Sequence, residues 1–415
     1  MSKNKTTYEE LRIKQSWALW QKVEHTKKRI REFLEFTNGK AYVSFSGGID
    51  STVLLHIARE VNSNILAVFS NTTNEDPEIV KFVKTVENVK IIYPKMKFKK
   101  VVETYGFPFV SKKVSRSIME LRNANPNSPN IRNLYLSGFN RKSQFVSSWK
   151  LAKKWYFLFD KEATKFDITS ICCDILKKEP MQRFKRESGL YPIVGTTADE
   201  GQERELNYIK YGCNIYDNNP KSRPLSIWTK QDVWDYIKIN NVSYCSVYDD
   251  KVLEDGTILK GEARTGCVAC GMGCSLEEVN RFETLRLRNP KHYENVMKYT
   301  NNGVTFKEAF EHTFNTPKKF QTKEYIEATL KKGFETLKHD DVECLKQTHI
   351  KLSEKLKETP VQNKYFKLRK EFEHRDILYM LLRKEIDYNL ENIGKSKNPK
   401  DTTNKKNLFD FMGVA

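Results

Sequence analysis

Apolar residues recur along this chain in two rhythms. Between residues 7 and 36, Leu11, Trp17, Trp20, Ile30 and Leu34 return at roughly helical spacing with charges between them, which predicts helix. From residue 41 the rhythm changes. AYVSFS is a continuous apolar run that ends at Gly47-Gly48, and DSTVLLHIARE then returns to helical spacing. NILAVFSN is a second short apolar run, so strand, helix and strand follow one another. That order predicts a β-α-β unit, a parallel sheet and a right-handed crossover. TTNEDPEIVKFVKTVE reads as a loop and a helix opening near Pro77, and VKIIYPK as another strand. NANPNSPNIRN (123–133) is a loop by its Asn and Pro content. YPIVGTTADE (191–200) reads as a strand entering a polar loop. TKQDVWDYIKINN (229–241) reads as a helix capped by Thr229, with Asp232 at its third position. Beyond about residue 300 the pattern is helical and charged, and GKSKNPKDTTNKKN (394–407) lacks the apolar residues to order itself. The organisation expected is an N-terminal helical segment (1–36), an α/β domain (37–300) and a helical, partly disordered C-terminal extension (301–415).

Composition narrows the class. With 39% hydrophobic and 30% charged residues among 415, a real core is available. No run of about 18 apolar residues appears, so no membrane span is expected. MSKNKTTYEELRIK has no apolar signal region, and a cytoplasmic protein is expected. Lysine and arginine exceed aspartate and glutamate by 72 − 53 = 19. Residues 91–160 hold 14 basic and 3 acidic residues, a net +11. An anionic partner suits that stretch, either nucleic acid or a phosphorylated nucleotide; a solvated lysine-rich surface suits it equally. Aromatics interleave its lysines in FNRKSQFVSSWKLAKKWYF. Such a mixture can stack bases along a backbone-tracking surface. It can also be helix whose aromatics point inward, which is the slightly stronger reading.

The glycine turn is the first candidate for chemistry. Gly47 and Gly48 leave backbone amides uncovered at the start of a helix, whose dipole favours an anion. Ser44, Ser46 and Ser51 add hydroxyls, and Asp50 suits a Mg²⁺ ion bridging to phosphate. Neither the Walker pattern nor G-x-G-x-x-G is present. At the next strand end Asn71, Thr72 and Thr73 are candidates for contacting a nucleotide. Lys112 and Lys113 are candidates for reaching phosphate. Glu200 and Arg204, four residues apart, form an ion pair on a helix or face the nucleotide. Asp50 and Arg204 are the catalytic candidates.

The second candidate is the cysteine set. Cys172-Cys173 and Cys267-x-x-Cys270 are separated by 267 − 173 − 1 = 93 residues, and Cys274 adds a fifth thiol nearby. A Cys-x-x-Cys turn and an adjacent pair together supply four thiolates. Either an iron–sulfur cluster or zinc would suit them.

These motifs resemble a known family. Ser-Gly-Gly-x-Asp-Ser at a strand end resembles the pyrophosphate loop (PP-loop) of the adenine nucleotide α-hydrolase superfamily. That group includes ATP pyrophosphatases, thiouridine synthases, ATP sulfurylase small subunits and phosphoadenylylsulfate (PAPS) reductases. Ile49 stands where many of these relatives carry Lys. Cys-Cys followed by a distant Cys-x-x-Cys is similar to the signature of the adenylylsulfate reductase branch. CCDILKKEP, GTTADEGQER and RPLSIWTKQDVWDYI resemble further stretches of that branch, with Thr197 where an Arg often stands. The likeness spans about residues 10–295. It implies an α/β fold, with an adenine nucleotide α-hydrolase-like parallel sheet flanked by helices and a helical C-terminal extension. It also implies ATP or a sulfonucleotide held by Ser44, Ser46, Gly47, Gly48, Asp50, Ser51, Asn71 and Thr72, with Mg²⁺, and a [4Fe–4S] cluster on Cys172, Cys173, Cys267 and Cys270, with Cys274 as a further candidate ligand. Zinc is the alternative metal. Reductases of this family end in Glu-Cys-Gly-Leu-His, whose thiolate attacks sulfur, whereas this chain ends NLFDFMGVA; Cys344, in DVECLKQTH, shares only Glu-Cys. The expected activity is therefore sulfur transfer or reduction on a nucleotide-activated substrate. The alternative is a nucleic-acid-associated protein, as in the DNA-phosphorothioation sulfurtransferase that shares both motifs, with a regulatory nucleotide site.

Overall fold

The computed structural model describes residues 6–125, 130–138, 147–277, 279–315, 318–322, 324–326 and 328–329. Cys344 and residues 394–407 lie outside the described residues. The described residues fall into two compact units, one formed by those up to 112 with 166–314, the other by those within 113–165 with those from 315 onward.

The first unit is built on a six-stranded sheet. Its strands in chain order are β1 (Ala41–Ser44), β2 (Leu66–Ser70), β3 (Val89–Ile92), β5 (Tyr191–Val194), β6 (Asn214–Ile215) and β7 (Lys221–Ser222), with a separate short strand β4 (Phe109–Val110). Their spatial order is β3-β2-β1-β5-β7-β6. All pairings are parallel except β6 with β7. Helices cover the sheet, so β1 and β2 are apolar almost throughout, as a two-sided buried strand must be. The chain leaves β1 for β2 and β3 in one direction and returns on the other side of β1 as β5. The strand order reverses there, and the crevice at the carboxyl ends of β1 and β5 is where such sheets take ligands.

The helix expected over 7–36 is two helices, α1 (Tyr8–Gln15) and α2 (Leu19–Phe36), each opened by its own cap. Helix α3 (Ile49–Val61) follows the glycine turn, and α4 (Pro77–Thr85) opens on Asp76 with Pro77 in its first turn. Ile30 and Phe33 of α2, Val53, Leu54 and Ile57 of α3, and Trp228 and Tyr236 form one core with Val43. Trp228 Nε1 donates to the buried Thr26 hydroxyl at 2.9 Å. Thr229 and Asp232 form the expected reciprocal cap of helix Lys230–Ile239. Asp232 also pairs with Lys22 of α2 at 2.7 Å.

The second unit carries part of the basic stretch. In the short helix Lys153–Leu158, Tyr156, Phe157 and Leu158 are buried and Lys154 faces solvent, the inward-facing arrangement that the sequence favours. Trp149 stays partly exposed with the Arg116 guanidinium 5.8 Å above its ring. Residues 91–112 belong to the first unit, so the stretch 91–160 is divided between the two. Among the described residues, no helix is long and apolar enough to cross a membrane.

Candidate functional site

The glycine turn is shaped by its neighbours. Gly47 has φ +73°, and a Cβ there would stand 2.9 Å from Ile79 Cγ2 of α4. Only glycine meets both demands. At Gly48 a Cβ would meet Thr265 Oγ1 at 3.0 Å and the Tyr248 hydroxyl at 3.2 Å. The loop then satisfies itself with hydroxyls. Ser46 N donates to Ser51 Oγ (3.1 Å), Gly48 N to Ser46 Oγ (3.3 Å), and Ile49 N to the Tyr248 oxygen (3.2 Å). These acceptors occupy the positions where an anion would meet a helix N-terminus. Ser44 closes β1 half-buried beneath the loop.

Asp50 lies in the first turn of α3, against the end of β5, where a Cβ on Gly195 would come within 2.9 Å of the Asp50 carbonyl. Burial, helped by Glu200, pushes its carboxyl up to about 6, while Arg204 and Lys230 offset part of that rise. Arg204 and Glu200 do form the ion pair considered from their spacing. Glu200 also accepts from Thr197 N at 3.2 Å. The pair therefore stands beside Asp50, with Arg204 exposed.

At the end of β2, Asn71 Oδ1 accepts from Thr73 N at 2.9 Å and shapes the turn. Thr72 is buried, donates to Glu75 Oε1 at 2.7 Å, and lies 3.9 Å from Cys267 Sγ. This residue ties the strand end to the cysteines.

A short strand explains how the two distant cysteine pairs meet. Phe107 pairs with Ile168, just before Cys172-Cys173, and β4 pairs in parallel with Gly271–Met272, just after Cys270. Thr169 N donates to Phe107 O at 3.0 Å, and Gly273 N to Val110 O at 2.8 Å. Gly271 must lack a Cβ, which would fall 2.5 Å from the Phe109 ring. Beneath this strand Phe107, Phe109, Phe166 and Phe306 form an aromatic cluster.

Cys172, Cys173, Cys267 and Cys270 thereby come near enough to act on one another's ionisation. Cys172 keeps its proton, chiefly because its thiol is hydrogen-bonded to Cys173. Cys173 is lowered chiefly by that same bond, and further by Lys112 and Lys177. Lys112, a candidate for phosphate, thus acts on a thiolate. Burial raises Cys267 to about 11 and also raises Cys270. Cys274 is buried with its Sγ 3.1 Å from Gly271 O, and its thiol is raised by burial first and further by Glu277 and Cys270. Among the described residues, no three Cys, His, Asp or Glu side chains close on a single-ion spacing.

Three residues here were not singled out from the sequence. The Lys177 ammonium faces Cys267, Glu75 and Cys173, which hold it charged against the cost of its enclosure. Its signal was present, four residues after Cys173 in CCDILKKEP. Glu75 is raised by burial and partly compensated by Lys177. Tyr248, 199 residues from Ile49, had no local signal.

The family model of the phosphoadenosine phosphosulfate reductase domain matches residues 40–126 and 131–275, more than half of the chain. An uncharacterized protein of Methanocaldococcus jannaschii is 24% identical over 252 residues, which are 60% of this chain and 46% of that protein. The chain thus spans about half the length of that curated relative. Among solved structures it is similar to phosphoadenylyl-sulfate (PAPS) reductase from Candida auris, a phosphate complex, with 14% identity over 60% of this chain and 94% of that one (TM-score 0.33). It is also similar to the U34-tRNA thiolase NcsA from Methanococcus maripaludis with its [4Fe-4S] cluster, with 13% identity over 72% and 90% of the chains (TM-score 0.28).

Proposed function

Because the chain belongs to the phosphoadenosine phosphosulfate reductase domain family, we propose that it is a PP-loop enzyme that binds ATP or a sulfonucleotide and transfers or reduces sulfur beside a [4Fe–4S] cluster. One observation carries the reading. The segment 265–270 touches both candidate sites: Thr265 Oγ1 is 3.2 Å from the Tyr248 hydroxyl that meets the loop, and Cys267 Sγ is 3.9 Å from Thr72. A phosphate chain on Ser46–Ser51 would therefore lie close to the cysteines.

The donor sets fit the implied groups. Asp50 and Glu200 are two carboxylates whose mutual repulsion a cation would relieve, so Asp50 would hold Mg²⁺ against the phosphates. Cys172, Cys173, Cys267 and Cys270 would hold the cluster, with the Lys177 ammonium offsetting its negative charge. Zinc would need its thiolates about 2.3 Å from one centre. Zinc is the alternative metal for the same four thiolates. When bound, the cluster would supply electrons or a site for a sulfur atom. The chain's own part is to hold the phosphates on loop amides and to keep Lys177 charged beside the thiolates.

The test is anaerobic purification with iron, sulfide and zinc analysis, followed by titration with ATP, adenylylsulfate and phosphoadenylylsulfate. We expect brown protein with about four irons per chain. One of the three nucleotides should bind, and Asp50→Ala should weaken it by tenfold or more. Colourless protein holding stoichiometric zinc, or no binding of any nucleotide, rejects the reading.

A second reading, a nucleic-acid-associated role, is supported by the second unit. Residues 113–165 carry 11 basic and 3 acidic residues, and Arg116 is poised over a partly exposed Trp149. Nucleic acid in this reading is either the acceptor of the sulfur or the target of a protein whose nucleotide site is regulatory.

A further inference from the structure

Tyr248 is joined to the glycine loop through a hydroxyl to which the reading above gives no part in binding. Its hydroxyl accepts from Ile49 N at 3.2 Å and meets Thr265 Oγ1 at 3.2 Å. Ile49 is the first residue of α3, so this amide is one of the uncovered donors that a phosphate would take. The phenol oxygen therefore stands at the edge of the place an anion oxygen would take. Gly48 leaves the room for it, since a Cβ there would press on both hydroxyls.

The ring has little freedom to withdraw. It packs edge-on against Trp234 with 6.0 Å between centroids, and it borders the main core. The Tyr248 carbonyl lies so close to Gly261 that a Cβ there would stand 2.0 Å from it. A hydroxyl held in place can still exchange roles, because it both accepts and donates. With an anion present beside them, Ile49 N–H is shared between the phenol oxygen and the anion, and the phenol, still protonated, donates to the anion. Thr265 can do the same from the other side. Both hydroxyls belong to the segments that lead into Cys267, and Val268 N and Ala269 N are anchored to Asn74 at 2.9 and 3.1 Å. The far wall of the phosphate site is thus continuous with the cysteine turn.

We propose that Tyr248 and Thr265 are phosphate-binding residues of the PP-loop, completing from the cysteine-bearing segment an anion site that Ser46–Ser51 form on one side only. This inference rests on the reading that the loop binds a phosphate chain.

Two effects oppose each other when the phenol oxygen is removed. The competitor for Ile49 N–H disappears, which favours the anion, and a donor to the anion is lost, which disfavours it. Hydrogen bonds to a charged acceptor are roughly twice as strong as neutral ones, so the loss wins. The experiment is calorimetric titration of the cluster-loaded protein with inorganic pyrophosphate and with ATP. Tyr248→Phe and Thr265→Val should each weaken both ligands about five- to twenty-fold, in line with a lost charge-assisted bond. Thr265→Ser, which keeps the hydroxyl, should bind within about twofold of wild type. If the phenylalanine variant fails to fold, the Thr265 pair decides alone. Variants that bind as tightly as wild type, or more tightly, overturn the proposal and leave the loop assignment standing. Wild-type protein that binds neither ligand overturns both.

Discussion

Under the proposed function, Asp50 is the residue where stability and function pull apart. Its carboxyl is raised from 3.8 to about 6, first by burial and then by Glu200. The folded chain therefore holds this proton more tightly than the unfolded chain. The stabilisation is complete below about pH 4 and is lost as pH rises through 6. At neutral pH the ionised group costs roughly 2 to 3 kcal/mol, at about 1.4 kcal/mol per unit. Asp50→Asn removes that cost. Urea unfolding should show it more stable than wild type by about that amount at pH 7.5 and nearly equal at pH 4, while nucleotide turnover is lost. Equal stability at both values would show that Asp50 is not strained. Asp50 was legible because Ser-Gly-Gly-x-Asp-Ser places it in a first helical turn. Glu200 was legible only as a helical partner of Arg204. That it faces Asp50 depends on how β5 ends against α3, which local sequence does not state.

At the scale of elements, the turn between β1 and α3 depends on a glycine in two independent ways. Gly47 sits at φ +73°, and a methyl group would press Ile79 Cγ2 at 2.9 Å and Val83 Cγ2 at 3.1 Å. Gly47→Ala should therefore cost about 1–3 kcal/mol from backbone strain alone. The contact with α4 adds to this, because Ile79 and Val83 are core residues with no room to retreat. A denaturation midpoint lowered further than by the same change at Gly189, where φ is also positive (+67°) but a Cβ meets nothing within 4 Å, would separate packing from strain. If both variants lose stability equally, strain explains all of it. The β-α-β unit, the helix opening at Pro77 and the Thr229–Asp232 cap were legible, since each is written within a dozen residues. The break between α1 and α2 was missed because the apolar spacing runs through Ser16–Ala18 without a change of phase. Strand β4 was missed as well. It is two residues long and exists because Gly271–Met272 comes to pair with it.

Across the whole molecule, the parallel sheet and its flanking helices were legible, but the strand order was not. Nothing near Tyr191 says that it lies beside Ala41. The approach of Cys172-Cys173 to Cys267-x-x-Cys270 was implied by family likeness; its physical cause is the shared strand through Phe107 and Val110. Net charge was readable at once, yet its consequence depends on where it falls. The aromatics of Tyr156–Leu158 turn inward, which removes them as stacking platforms and leaves Trp149 with Arg116. If single-stranded nucleic acid is a partner of this chain, the excess of 19 positive charges makes its binding steeply salt-dependent. Three phosphate contacts alone would give a slope of about −2 in log affinity against log salt, at roughly −0.7 per contact. Arg116→Ala should lower that slope by about 0.7 if the guanidinium meets phosphate. Trp149→Ala should instead weaken binding about tenfold at every salt concentration, because stacking carries no counterions. A fluorescence titration from 50 to 300 mM salt distinguishes the two. A flat slope in the wild-type protein would mean that the charge of this unit is simply its solvated surface, and would leave the nucleotide site as the anion-binding feature of the chain.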